Sequence, residues 1–91
     1  MKACLLRIHG KVQGVYYRDS AVARARELGV AGWVRNRVDG TVEAWVEGEP
    51  LAVAEFVEWA HQGPQAARVD RVDASDVTAE ATEGFERKPT L

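Results

Sequence analysis

Polar and apolar positions alternate at the start of the chain and then change period. Cys4, Leu6 and Ile8 interleave with Leu5, Arg7 and His9, which predicts a strand from Ala3 to His9 with one apolar and one mixed face. Beyond a short break, Ala21, Val22, Ala25 and Leu28 recur at helical spacing. Asp19 adds negative charge to the first turn and Gly29 is placed to stop the helix, so the spacing predicts a helix from Arg18 to Leu28. Val30 to Gly48 reads as a hairpin whose register follows from its pairs. A two-residue Asp39-Gly40 turn would set Trp33 opposite Val46 and mismatch the faces. A three-residue Val38-Asp39-Gly40 loop with Gly40 left-handed sets Trp33 opposite Trp45, Arg35 opposite Glu43 and Val34 opposite Ala44. The second register predicts a helix-covered face of Gly32, Val34, Asn36, Val42, Ala44 and Val46. The other face carries the tryptophans and the charges.

Pro50 suits the first turn of a second helix from Leu51 to Gln62, with Val53, Phe56, Val57 and Ala60 as its stripe and Gly63-Pro64 as its end. Val69 to Val77 reads as an edge strand, and Gly84 to Arg87 as a short final one. The order β-α-β-β-α-β predicts a ferredoxin-like α+β fold, an antiparallel sheet with two helices on one face, as a single domain over residues 1–91. In that topology the first and second strands run parallel with the third between them. Asn36, near the end of the second strand and on the helix side, is then aimed toward the start of the first helix.

The break itself is Gly10-Lys11-Val12-Gln13-Gly14-Val15-Tyr16-Tyr17-Arg18. By residue type it is either a plain tight turn or an anion cradle. In the second reading the backbone N–H groups from Lys11 to Tyr17, at a helix N-terminus, hold a phosphate or carboxylate while Arg18 adds a charged fork. Tyr16 packs against the loop or forms its rim.

Composition narrows the partners. The 91 residues are 46% apolar and 29% charged, ordinary for a globular domain, and the net charge of -2 gives no general pull toward nucleic acid. No apolar run reaches the ~20 residues of a spanning helix, and Arg7 arrives too early for a secretory signal, so a cytoplasmic protein without a membrane partner is expected. Cys4 is expected to be a small buried hydrophobe.

Several catalytic devices are missing. The loop lacks the Gly-Lys-Ser/Thr ending of a nucleotide P-loop, and the residue six after Cys4 is Gly10, not the arginine of a cysteine phosphatase. His9 and His61 are isolated, and Ser20 and Thr41 have no histidine base nearby in sequence, so neither a metal nor a covalent intermediate is expected. Hydrolysis then requires a leaving group that needs no strong acid. Acyl phosphates meet that condition, because they expel a carboxylate. Arg18 and the loop amides would neutralise the phosphoryl oxygens and Asn36 would orient the water.

The stretch from Gly10 to Arg18, followed by Leu28 to Asn36 and by Asp39 to Glu43, closely resembles the acylphosphatase family, and the likeness extends to Gly63-Pro64 and Phe85. The resemblance implies a small, metal-free cytoplasmic hydrolase, without a cofactor, that splits acyl phosphates into carboxylate and inorganic phosphate. It implies that the arginine at position 18 binds phosphate with the loop amides and that the asparagine at position 36 places the water. The base it implies is the substrate's own phosphate. Tyr17 departs from the family's usual phenylalanine, which is expected to add a hydroxyl at the edge of the packed loop. Arg37 stands where a small polar residue is common. A monomer acting on a small acyl phosphate is expected. The alternative is a non-catalytic module of the same fold that holds acyl or carbamoyl phosphate or a protein partner. Trp33 and Trp45 could form a base-stacking platform, but sheet stabilisation explains the pair and no nucleic-acid partner is expected.

Overall fold

Seven elements occur along residues 1–91, all of which the computed structural model describes: β1 (Lys2–Lys11), α1 (Tyr17–Leu28), β2 (Ala31–Asn36), β3 (Val42–Gly48), α2 (Pro50–Gln62), β4 (Arg68–Val77) and β5 (Phe85–Arg87). The sheet order is β4-β1-β3-β2-β5. The first four strands pair antiparallel, in the ferredoxin-like arrangement, and β5 adds a fifth strand parallel to β2. With β3 antiparallel to both β1 and β2, those two strands run in the same direction and deliver their C-terminal ends to one end of the sheet.

The expected hairpin register holds, with Trp33 opposite Trp45, Val34 opposite Ala44 and Arg35 opposite Glu43. The Arg37 N–H donates to the Thr41 carbonyl at 2.8 Å and closes a three-residue loop, in which Gly40 takes φ 93°. The core lies between the sheet and the two helices. Cys4, Leu6, Ile8, Val34, Val42, Ala44 and Val46 meet Ala21 and Ala25 of α1 and Val53, Phe56 and Ala60 of α2 in one buried cluster. Burial on this scale, at about 25 cal/mol per Å² of apolar surface, is the main favourable contribution to folding. Cys4 is buried, as a free thiol whose Sγ lies 3.5 Å from Asp76 Oδ1.

The opposite face is less solvated than its charges suggest. Glu43 and Glu47 are only 7% and 2% exposed. Glu43 is enclosed by guanidinium groups, Arg35 at 2.8 Å, Arg37 at 3.3 Å and Arg7 at 3.5 Å. Glu47 is covered by the segment that connects β4 to β5. Its Oε1 accepts from the Trp45 indole at 2.9 Å and the Thr82 hydroxyl at 2.7 Å, and its carboxylate also accepts from the backbone N–H groups of Glu80 and Thr82.

Burial pushes the Glu47 carboxyl up, but these donors stabilise the ion by more, and its pKa falls below the ordinary 4.5. A carboxylate whose folded pKa lies below its unfolded value contributes stability that is present above the unfolded pKa and lost as pH falls through the folded one. The melting temperature is therefore expected to drop as pH is lowered through the acid range below about 4.5. In Glu47→Gln the drop across that window should be smaller, which thermal melts of both proteins at stepped pH would show. Equal drops in the two would remove Glu47 from the acid response.

Candidate active site

The loop at the C-terminal end of β1 is shaped by a backbone irregularity and by three apolar anchors. The pairing of β1 with β4 shifts register between His9 and Gly10. Gly10 sits there at φ 130°, where a Cβ would lie 2.1 Å from the Arg68 carbonyl oxygen, so only glycine lets the two backbones approach. Val12, Val15 and Tyr17 are then buried at 1%, 6% and 2% exposure, while Gly14 and Tyr16 face outward. Tyr16 occupies the left-handed region at φ 66°, ψ 23° as the residue before α1, a conformation that costs a non-glycine residue about 1–2 kcal/mol.

This geometry fixes what the loop offers a ligand. The side chains of Val12, Val15 and Tyr17 belong to the core, which leaves their backbone groups facing the loop. None of the backbone N–H groups from Val12 to Tyr16 donates to a protein acceptor. Arg18, second residue of α1, makes no hydrogen bond or ion pair with the protein although it is only partly exposed. A cation there is disfavoured by the helix dipole, and five free donors beside it favour an anion.

A hollow of about 290 Å³ lies against this loop, lined by Val12, Gly14, Tyr16, Tyr17, Arg18, Asp19 and Arg87. Of the residues expected at the site it gathers Val12, Gly14, Tyr16, Tyr17 and Arg18. Lys11, Gln13, Val15 and Asn36 do not line it. Lys11 is exposed at the end of β1, and the Gln13 side chain turns away toward the β2–β3 loop. Tyr16, 77% exposed, forms a rim.

Asn36 closes β2 opposite Val42, on the same face as the fully buried Val34. Its Oδ1 is sealed from solvent and has no hydrogen-bond partner. An unsatisfied buried acceptor costs about 1–3 kcal/mol. Its backbone is held from outside by the C-terminal segment. Lys88 N–H donates to the Val34 carbonyl, Leu91 N–H to the Asn36 carbonyl, and Val38 N–H to the Leu91 carbonyl, at 2.9, 3.1 and 3.1 Å.

Two features depart from the sequence expectation. The Tyr17 hydroxyl is not at the edge of the loop. It is buried, donates to the Ala60 carbonyl at 2.7 Å, and its ring packs on Trp59 with centroids 5.4 Å apart, so it ties the start of α1 to the end of α2. Burial drives its pKa upward. Arg87 and Asp19 also line the hollow, although neither was expected at the site. Arg87 reaches across from β5 to Asp19 at 2.6 Å. Only the parallel pairing of β5 with β2 brings Arg87 there, and no local pattern signals it. The C-terminal segment is thus next to both Asn36 and the hollow.

No three His, Cys, Asp or Glu side chains gather in a way that could hold a metal ion. No helix is long and apolar enough to cross a membrane.

Fold and loop together define a class: a ferredoxin-like α+β protein whose first strand-to-helix loop leaves a run of donors free beside an arginine. Residues 4–87 match the family model described as acylphosphatase. The chain belongs to the acylphosphatase family and is a hydrolase of that family's kind. It is 57% identical over 86 residues to an acylphosphatase of Acidovorax sp. strain JS42, covering 94% of this chain and 89% of the relative. It is 50% identical over 91 residues to an acylphosphatase of Rhodospirillum rubrum, covering the whole of both chains. Among solved structures, the acylphosphatase of Bacillus subtilis superposes with a TM-score of 0.94 at 31% identity, covering 97% of this chain and 99% of that one.

Proposed function

We propose that the chain hydrolyses the carboxyl–phosphate bond of small acyl phosphates without a metal, with Arg18 and the loop amides from Lys11 to Tyr17 holding the phosphate and Asn36 positioning water. The observation that supports this most is the unbroken run of unpartnered N–H groups from Val12 to Tyr16 beside the unpaired Arg18. A tetrahedral dianion satisfies those donors and relieves the cation at the helix N-terminus at once. Asn36 lies at the same end of the sheet, where β1 and β2 deliver their C-terminal ends.

In the proposed step, water oxygen attacks phosphorus and the bond from phosphorus to the acyl oxygen breaks. The carboxylate departs with the bonding pair. Its conjugate acid has a pKa near ~4, so it leaves as an ion and no side chain has to protonate it. The proton of the attacking water passes to a phosphoryl oxygen of the substrate. The bound donors offset charge on the equatorial oxygens, and positioning together with electrostatics supplies the rate. We further take the protein to act as a one-domain monomer in the cytoplasm, where the free Cys4 thiol stays reduced.

Phosphate release from acetyl phosphate and benzoyl phosphate by chelator-treated protein tests the reading. Turnover that survives the chelator is expected. Phosphate binding without turnover would instead support the non-catalytic module, and turnover restored only by added Mg²⁺ would overturn the metal-free mechanism.

A further inference from the structure

The Gln13 side chain leaves the cradle and crosses to the hairpin. Its Nε2 donates to the Arg37 carbonyl and to the Thr41 carbonyl, each at 2.8 Å and across 24 and 28 residues of sequence. Those carbonyls flank the three-residue loop Val38–Gly40, and Arg37 directly follows Asn36. The same Thr41 carbonyl also accepts the Arg37 N–H, while the Asp39 carboxylate accepts from the Thr41 N–H and hydroxyl at 3.0 and 2.6 Å. The hairpin end is therefore internally braced, and Gln13 joins that brace to the loop that carries the free amides.

We infer that Gln13 is a positioning residue: its carboxamide fixes the distance between the phosphate-holding loop and Asn36. This rests on the roles proposed above for the loop and for Asn36. The two groups arrive on separate strands that do not pair with each other, since β3 lies between β1 and β2. Besides the sheet, the shared core of Val12, Val15, Val34 and Val42 relates them, and Gln13 adds a direct polar link. One NH₂ group is matched to two carbonyls, a demand that neither a shorter side chain nor a carboxylate meets.

Gln13→Ala is expected to lower kcat by about 10-fold while the inhibition constant of inorganic phosphate changes by less than about 3-fold, because misplacement of a reacting group affects turnover more than binding. In an Asn36→Ala background the same substitution should change kcat by less than about 2-fold, as two residues acting through one function are not additive. Gln13→Glu sets a carboxylate against two carbonyl oxygens. It should be at least as slow as Gln13→Ala at neutral pH and recover in part as pH falls and the acid gains a proton to donate. A full, additive loss in the Asn36→Ala background, or wild-type kcat in Gln13→Glu at neutral pH, would overturn the assignment. Amide exchange at Arg37 and Gly40 gives a readout that needs no turnover, and it should quicken in Gln13→Ala. If the unmodified protein shows no acyl phosphate hydrolysis, the proposed function fails. If exchange at those two amides is unchanged, the tether fails instead.

Discussion

Arg18→Ala is expected to lose phosphate affinity and turnover together, with kcat/KM falling on the order of 10³-fold. Two charge-assisted hydrogen bonds to phosphoryl oxygens, at about 1.5–3 kcal/mol each, correspond to a factor of about 10² to 10⁴ in rate. The inhibition constant of inorganic phosphate should rise in parallel, because the ground-state dianion uses the same fork. Arg18→Lys should recover only part of this, since an ammonium supplies charge without the planar pair of donors. The fold gives a clean control. The Arg18 side chain bonds to nothing in the protein, and a cation in the first turn opposes the helix dipole, so the alanine variant should melt at or slightly above the temperature of the parent. Loss of activity with unchanged melting then isolates the ligand-binding role.

Asn36→Ala is expected to separate binding from chemistry. Phosphate inhibition should stay within about 3-fold of the parent, while kcat falls by about 10² or more, the cost of removing a preorganised polar group from a reacting centre. Here too stability should not confuse the result. The Asn36 Oδ1 is buried without a donor, so deleting it removes an unsatisfied acceptor and no hydrogen bond. Steady-state kinetics with benzoyl phosphate, alongside phosphate inhibition, would measure both quantities. Equal weakening of phosphate binding in the Arg18 and Asn36 variants would contradict the division of roles.

Period and pairing made most of the frame legible. Cys4, Leu6 and Ile8 announced the buried face of β1, and the match of Trp33 with Trp45 and Arg35 with Glu43 selected a three-residue loop over a two-residue one. That register is also what put Asn36 on the helix-covered face, so its place in the candidate site followed from hairpin pairing, whereas the loop and Arg18 were legible as a local glycine-flanked stretch. What stayed hidden depends on segments distant in sequence. The burial of Glu43 and Glu47 is one such case, because Arg7 and the segment around Glu80 and Thr82 enclose them through contacts that no period encodes. The Tyr17 hydroxyl could not be placed because its acceptor, the Ala60 carbonyl, lies 43 residues away on the other helix. The second guanidinium at the hollow, from Arg87, depends on the parallel pairing of a three-residue strand, too short to carry a pattern. Gln13 read as one more loop residue because a side chain's direction within an irregular loop is set by the partner it finds.

Arg18 and Asn36 stand on different elements, and the proposed hydrolysis requires both to address one anion. A crystal structure of the protein grown with inorganic phosphate tests that most directly. One phosphate should sit on the amides of the Val12–Tyr16 loop, with the Arg18 guanidinium on two of its oxygens and the Asn36 carboxamide within reach of a water in line with phosphorus. A phosphate held elsewhere, or held in the loop with Asn36 turned away from it, would contradict the account.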